Sequence, residues 1–119
     1  MRDFRELKVW EKAHRLSLEV YRRSNSFPAE ERFGLTAQLR RSAVSIGSNI
    51  AEGCGREGER ELSQFLRIAA GSVSELEYQL LLARDLDYLT DAHHRELERQ
   101  AREVRRMLHG FLLKLTADG

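Results

Sequence analysis

Between Val9 and Leu115 the apolar residues recur every three or four positions, in four runs separated by short stretches rich in glycine, serine, asparagine or aspartate. This spacing predicts four amphipathic helices, each with one apolar stripe. In the first run Val9, Ala13, Leu16 and Val20 form the stripe, flanked by Trp10, Ser17 and Tyr21, while Lys8, Arg15, Glu19 and Arg22 lie opposite. Asp3 can cap an amide and Glu6 can reach back to it, so the helix is predicted over about residues 4–24. Ser24-Asn25-Ser26-Phe27-Pro28 is the turn, and Pro28 suits the first turn of a second helix over 29–52, broken or restarted at Gly34. That helix aligns Leu35, Leu39, Ile46 and Ile50 and stops at Gly53-Cys54-Gly55. The third, over 58–89, aligns Leu62, Leu66, Ala69, Val73, Leu76, Leu80 and Ala83. Thr90 or Asp91 caps the fourth, over 91–116, with Leu97, Ala101, Val104, Leu108, Leu112 and Leu115 in register.

Four stripes joined by short loops are buried most simply in an antiparallel up-down-up-down four-helix bundle, an all-α single domain spanning residues 1–119. Two helices carry more than one stripe. Helix 3 also shows Gly71, Tyr78, Leu82 and Leu89 about 180° from its stripe centre, and helix 2 shows Ala37, Arg40, Val44, Gly47 and Ala51, mostly small. Apolar or small faces in excess of a monomer core imply self-association, with Val44, Gly47, Tyr78, Leu82 and Leu89 as the expected contact.

Composition narrows the function classes. Twenty Lys and Arg against 19 Asp and Glu leave a net charge of +1, so any nucleic-acid site must be a local patch. One proline with 33% charged residues speaks against a disordered linker or a turn-rich β fold. Cys54 alone cannot form an internal disulfide, the N-terminus lacks a signal-like apolar stretch, and a cytoplasmic location is expected. The longest apolar run, Leu80-Leu81-Leu82-Ala83, is far short of the roughly 20 residues of a membrane span, so no membrane partner is expected.

Beside the core stripes, Arg41, Ser45, Ser48, Asn49 and Glu52 make a polar ridge on helix 2, and Ser72, Glu75 and Gln79 a comparable one on helix 3. Facing each other, the two ridges could satisfy their hydrogen bonds mutually. Two readings exist: a ligand site built from Arg41, Asn49, Glu52 and Arg56, or a structural network of Arg41, Ser45, Asn49, Glu52, Ser72 and Glu75 that fixes helix register. The second needs no ligand and is preferred.

The run Gln38-Leu39-Arg40-Arg41-Ser42-Ala43-Val44-Ser45-Ile46, continued by Ser48-Asn49-Ile50-Ala51-Glu52-Gly53 and Gly55-Arg56, resembles the bacterial four-helix bundle family of 23S rRNA intervening-sequence proteins, also labelled S23. The resemblance extends through Leu7-Lys8-Val9-Trp10, Phe27-Pro28, Phe33-Gly34-Leu35 and Phe65-Leu66-Arg67-Ile68-Ala69 to Glu75-Leu76, and weakens in helix 4. Relatives include the accessory variability protein of diversity-generating retroelements, a ring-shaped pentamer that works with a reverse transcriptase and nucleic acid. The resemblance implies a non-enzymatic homo-oligomer, by analogy a pentamer, with contacts to RNA or DNA, and not a ribosomal subunit component. Gly58 departs from the serine or threonine that relatives often carry there, and glycine is a tolerable cap.

The strongest sequence feature for nucleic acid is on helix 4, where Arg95, Arg99, Arg102 and Arg106 fall within about 60° of one another, opposite the leucines. Guanidinium groups suit phosphate oxygens, so the ridge could follow a backbone weakly and without reading bases. Asp91 to Arg95 and Glu98 to Arg102 are spaced to pair, which would make the same ridge a solvated face. Lys8, Arg15, Arg22 and Arg23 on helix 1 are the next candidates, diluted by Glu11 and Glu19. Catalytic features are sparse. Cys54 reads as a surface-loop thiol with no histidine near it in sequence, and His14, His93, His94 and His109 lack metal-ligand spacing. No phosphate loop occurs, and no cofactor or metal is expected. The competing class is a scaffold with a protein partner and no nucleic-acid role.

Overall fold

The start of the chain shows how local chemistry and packing divide the work. In the computed structural model, which describes residues 2–118 with side chains placed through Thr116, the Asp3 carboxylate accepts from the Arg5 amide at 3.0 Å. The turn it caps is a short 3-10 helix, Phe4–Glu6, after which Leu7 is extended. Helix α1 therefore runs Lys8–Ser24, and Phe4 folds back edge-on to Trp10 with ring centroids 4.9 Å apart. A second 3-10 turn, Ala29–Glu31, follows Pro28, and α2 spans Leu35–Cys54. The restart at Gly34 has a clear cause: one oxygen of Glu31 accepts from the Leu35 amide at 3.1 Å, where a Cβ on residue 34 would stand 2.7 Å from that same oxygen.

Helix α3 spans Glu59–Asp85 and α4 spans Asp91–Asp118. Helix α3 is thus shorter than its sequence pattern, which continues to Leu89. Asp87 takes a left-handed conformation with φ 63°, letting the Tyr88 amide donate to Ala83 and the Asp87 amide to Arg84, both at 2.9 Å. These two bonds close the helix end. Thr90 then caps α4, its hydroxyl accepting from the His93 amide at 3.1 Å. Gly58, before α3, has φ 90° and ψ 152°, a conformation that side-chain-bearing residues avoid, so glycine is the suited residue there rather than merely a tolerated one.

The four helices form an antiparallel bundle in which each packs against two neighbours, in the cyclic order α1, α2, α3, α4, within an envelope of 46 × 22 × 20 Å. All the predicted stripe residues are buried except Leu112, which is half-buried. Leu16, Leu39, Ile46, Leu66, Leu76, Leu97 and Leu108 are fully enclosed, each worth roughly 1.5–3 kcal/mol of transfer free energy. Among the described residues no helix is long and apolar enough to cross a membrane.

Candidate functional site

Helix α4 presents Arg95, Arg99, Arg102 and Arg106 on its solvent side, and all four are exposed. Their charges are unequally committed. Arg99 donates to Glu96 from Nη2 at 2.7 Å and from Nε at 3.1 Å, and lies 3.5 Å from Glu103. Arg102 stands 3.4 Å from Glu98, the i,i+4 pair expected from the sequence. Among the described residues Arg95 and Arg106 have no carboxylate in ion-pair range, so the expected Asp91–Arg95 pair is not formed. The Arg99 hydrogen bond, seconded by that from Gln100, holds the Glu96 carboxyl down at about 2, and Glu96 in turn raises the Arg99 guanidinium.

Because α1 and α4 are neighbours, the two basic surfaces of the sequence meet. Between them lies a cleft of about 450 Å³ lined by Lys12, Arg15, Arg22 and Arg23 from α1 and Arg99 from α4. Glu19, Glu96 and Glu103 line the same cleft, so five cations face three carboxylates. Lys12 bridges to Glu103 at 3.3 Å, joining the two helices, and Arg22 reaches Glu19 at 2.8 Å. Exposed pairs of this kind contribute only about 0–1 kcal/mol each, so a phosphate can displace a carboxylate at little cost.

The polar ridges of α2 and α3 meet as a seam. The hydroxyls of Ser45 and Ser72 are 2.9 Å apart, Asn49 donates to the Ser45 carbonyl at 2.8 Å and to its hydroxyl at 3.0 Å, and Ser42 donates to Glu75 at 3.1 Å. Two residues assigned to this network from sequence stand outside it. Arg41 is exposed and among the described residues makes no hydrogen bond or ion pair with the seam, while Glu52 is exposed and pairs at 3.1 Å with Arg56, just beyond the end of its helix. Arg56 lies over the Phe65 ring, 5.3 Å from its centroid, so Arg41, Asn49, Glu52 and Arg56 do not converge on a pocket. Ser42 belongs to the seam although the spacing argument passed over it, and it sits one turn before Ser45 on the same face.

The residues expected at a subunit contact fall in three places. Tyr78 is 63% exposed on α3, sharing a stripe with Ile68 and the open Gly71, whereas Leu82 is half-buried against the core. Val44 is 42% exposed but faces the α1 side, and Gly47 lies under Trp10, whose Nε1 would be 3.6 Å from an added Cβ. Leu89 is not available to a partner. The helix end at Asp85 turns it inward, and it is a core residue 6% exposed. The small face of α2 is thus largely the seat of α1. Arg40 fastens that seat, donating to the Ser24 hydroxyl at 2.9 Å, the Asn25 side-chain oxygen at 3.0 Å and the Tyr21 carbonyl at 3.3 Å. A guanidinium on the last carbonyls of a helix is favoured by the helix dipole, a role not visible in sequence spacing.

Cys54 also differs from expectation. It closes α2 as a buried core residue, 1% exposed, and burial pushes its thiol above the ordinary range. Among the described residues no group of three or more histidine, cysteine or carboxylate side chains is clustered as metal ligands would be.

With this geometry in hand, the relatives are informative. A solved structure of a protein of unknown function from the S23 ribosomal protein family of Bacteroides thetaiotaomicron superposes with a TM-score of 0.81, covering 87% of this chain and 94% of that one. At 23% sequence identity it shows a shared fold. Among curated proteins none matches significantly. The profile of the family described as 23S rRNA-intervening sequence protein matches residues 5–110, which include α1, α2 and α3 whole, α4 as far as Gly110, and every residue of the basic cleft and the polar seam, and the chain belongs to that family.

Proposed function

We propose that this protein is a non-catalytic, self-associating helical bundle that binds nucleic-acid backbone weakly and with little sequence preference. The observation that carries the proposal is the meeting of Arg15, Arg22 and Arg23 on α1 with Arg99 on α4 across one cleft, beside the exposed Arg95, Arg102 and Arg106. On a chain of net charge +1 this face concentrates cation, with five cations against three carboxylates in the cleft alone. Guanidinium groups held by surface carboxylates exchange readily to phosphate, which offers paired acceptors in the same fork geometry. One such face binds poorly, and repetition around an oligomer raises the effective concentration for a polyanion.

Self-association through α3 is supported by the exposed stripe of Ile68, Gly71 and Tyr78, and a closed ring, by family analogy a pentamer, is the assembly we propose. Light scattering tests this part: an oligomer is expected, and a monodisperse monomer of 13.8 kDa at micromolar concentration overturns it. Fluorescence anisotropy with labelled duplex RNA and DNA over a salt series tests the other. Arg99→Glu with Arg102→Glu should weaken binding and flatten its salt dependence in an intact oligomer. An intact variant that binds as wild type contradicts the ridge assignment.

A further inference from the structure

A second groove, of about 550 Å³, opens on the opposite side of α1, between its C-terminal half and the start of α2. Its walls carry Tyr21, Phe33, Val44 and the three arginines Arg32, Arg40 and Arg41, and none of the described residues lining it is acidic. Phe33 is 87% exposed, an unusual position for a large aromatic ring, with the Arg32 guanidinium 5.3 Å from its centroid. Arg40 lies over Tyr21 at 4.6 Å, and its hydrogen-bond acceptors are all neutral, so its charge is not cancelled. Among the described residues Arg32 and Arg41 have no carboxylate in ion-pair range. The contrast with the α1–α4 cleft is chemical: there the cations share the walls with three carboxylates, whereas here three cations surround exposed aromatic faces with nothing to balance them.

We propose that this groove binds a single-stranded nucleic-acid segment, with a base stacked on Phe33 and flanking phosphates on Arg32 and Arg41. Charge complementarity selects a polyanion, and the exposed ring selects one whose bases are unstacked, since a duplex keeps its base faces covered. Arg40 is held by the end of α1 and contributes field rather than a mobile contact. This site is separate from the backbone-binding face of α1 and α4 and stands without it.

The test uses the full-length protein with labelled 12-nucleotide oligo(dT) and oligo(rU), a mixed-sequence duplex, and inorganic polyphosphate as a base-free competitor. Phe33→Ala should lower affinity for both single strands by about tenfold, leave the salt slope unchanged and leave duplex binding intact. Phe33→Trp should restore single-strand binding, with indole fluorescence quenched on stacking. Arg32→Ala with Arg41→Ala should instead flatten the single-strand salt dependence, by roughly 0.7 for each phosphate left without its arginine. Better binding of oligo(rU) or of oligo(dT) identifies the strand chemistry the groove prefers. Three results overturn the proposal: Phe33→Ala binding single strands as wild type, polyphosphate displacing them as well as an unlabelled oligonucleotide does, or Phe33→Ala breaking up the oligomer, which would assign the groove to a second copy. Loss of duplex binding in the Arg99 and Arg102 variant, with single-strand binding retained, separates failure of one site from failure of the other.

Discussion

The seam between α2 and α3 and the seam between α1 and α4 are built from opposite materials. At the first, helices approach so closely that a Cβ on Gly53 would stand 2.9 Å from the Cβ of Phe65, and the polar groups are short side chains bonded to one another. At the second, long charged side chains bridge an open cleft, as Lys12 does to Glu103. Short buried hydroxyls cannot reach a ligand, but they fix register and are left unsatisfied when a neighbour is altered. Long exposed charges add little stability and can be redirected to an incoming phosphate. The α2–α3 seam therefore suits holding the fold, and the α1–α4 seam is the surface proposed to bind.

Substitutions can sharpen that division. The largest loss is expected beside the first seam: Leu76→Ala, at a fully buried position, should cost about 2–5 kcal/mol in denaturant unfolding. Gly53→Ala should cost about 1–3 kcal/mol, because the Phe65 Cβ it meets is tied to backbone and cannot swing aside. Asn49→Leu should cost about 1 kcal/mol, while Glu52→Ala, one turn along and exposed, should stay within about 0.5 kcal/mol. Melting curves on this pair are decisive for the seam, since equal losses would place Glu52 in the network after all. At the second seam, Lys12→Ala should change stability by less than about 1 kcal/mol.

The smallest effect is a pH dependence. Glu96 titrates at about 2 when folded against an ordinary value of 4.5, so its depressed group favours the folded state above pH 4.5 and loses that contribution as pH falls toward 2. Carbon-detected NMR should place the Glu96 midpoint near 2 and return it toward 4.5 in Arg99→Ala. An unmoved midpoint would mean that Arg99 is already turned to solvent.

Periodicity made the architecture legible because each helix buries one stripe, and a 3.6-residue repeat reports that directly. It does not mark where a helix stops. Leu89 fits the period of α3 but lies beyond the left-handed Asp87, and nothing in an aspartate at that position announces a helix end as a glycine would. The basic ridge of α4 was readable for the same reason as the core stripe, being its complement. Its meeting with α1 was not, since angle on a helix says nothing about which neighbour occupies that angle. Glu52 and Asn49 show the limit most clearly: both belong to the polar ridge by spacing, yet Asn49 bonds back to Ser45, whose hydroxyl meets Ser72, while Glu52 faces Arg56. Phe33 belongs to the run that carries the family resemblance, but its spacing says nothing of its exposure, which only the packed structure shows.

The central claim, that the charged seam binds while the polar seam holds, is tested most directly by reversing charge on both sides of the cleft. Arg22→Glu with Arg99→Glu should leave the melting temperature within about 3 °C of wild type and the oligomer intact. Affinity for a labelled duplex should fall, and the slope of log K against log salt should flatten by roughly 0.9 for each phosphate no longer neutralised. An unfolded or dissociated variant, or an intact one with wild-type affinity and slope, would contradict the account.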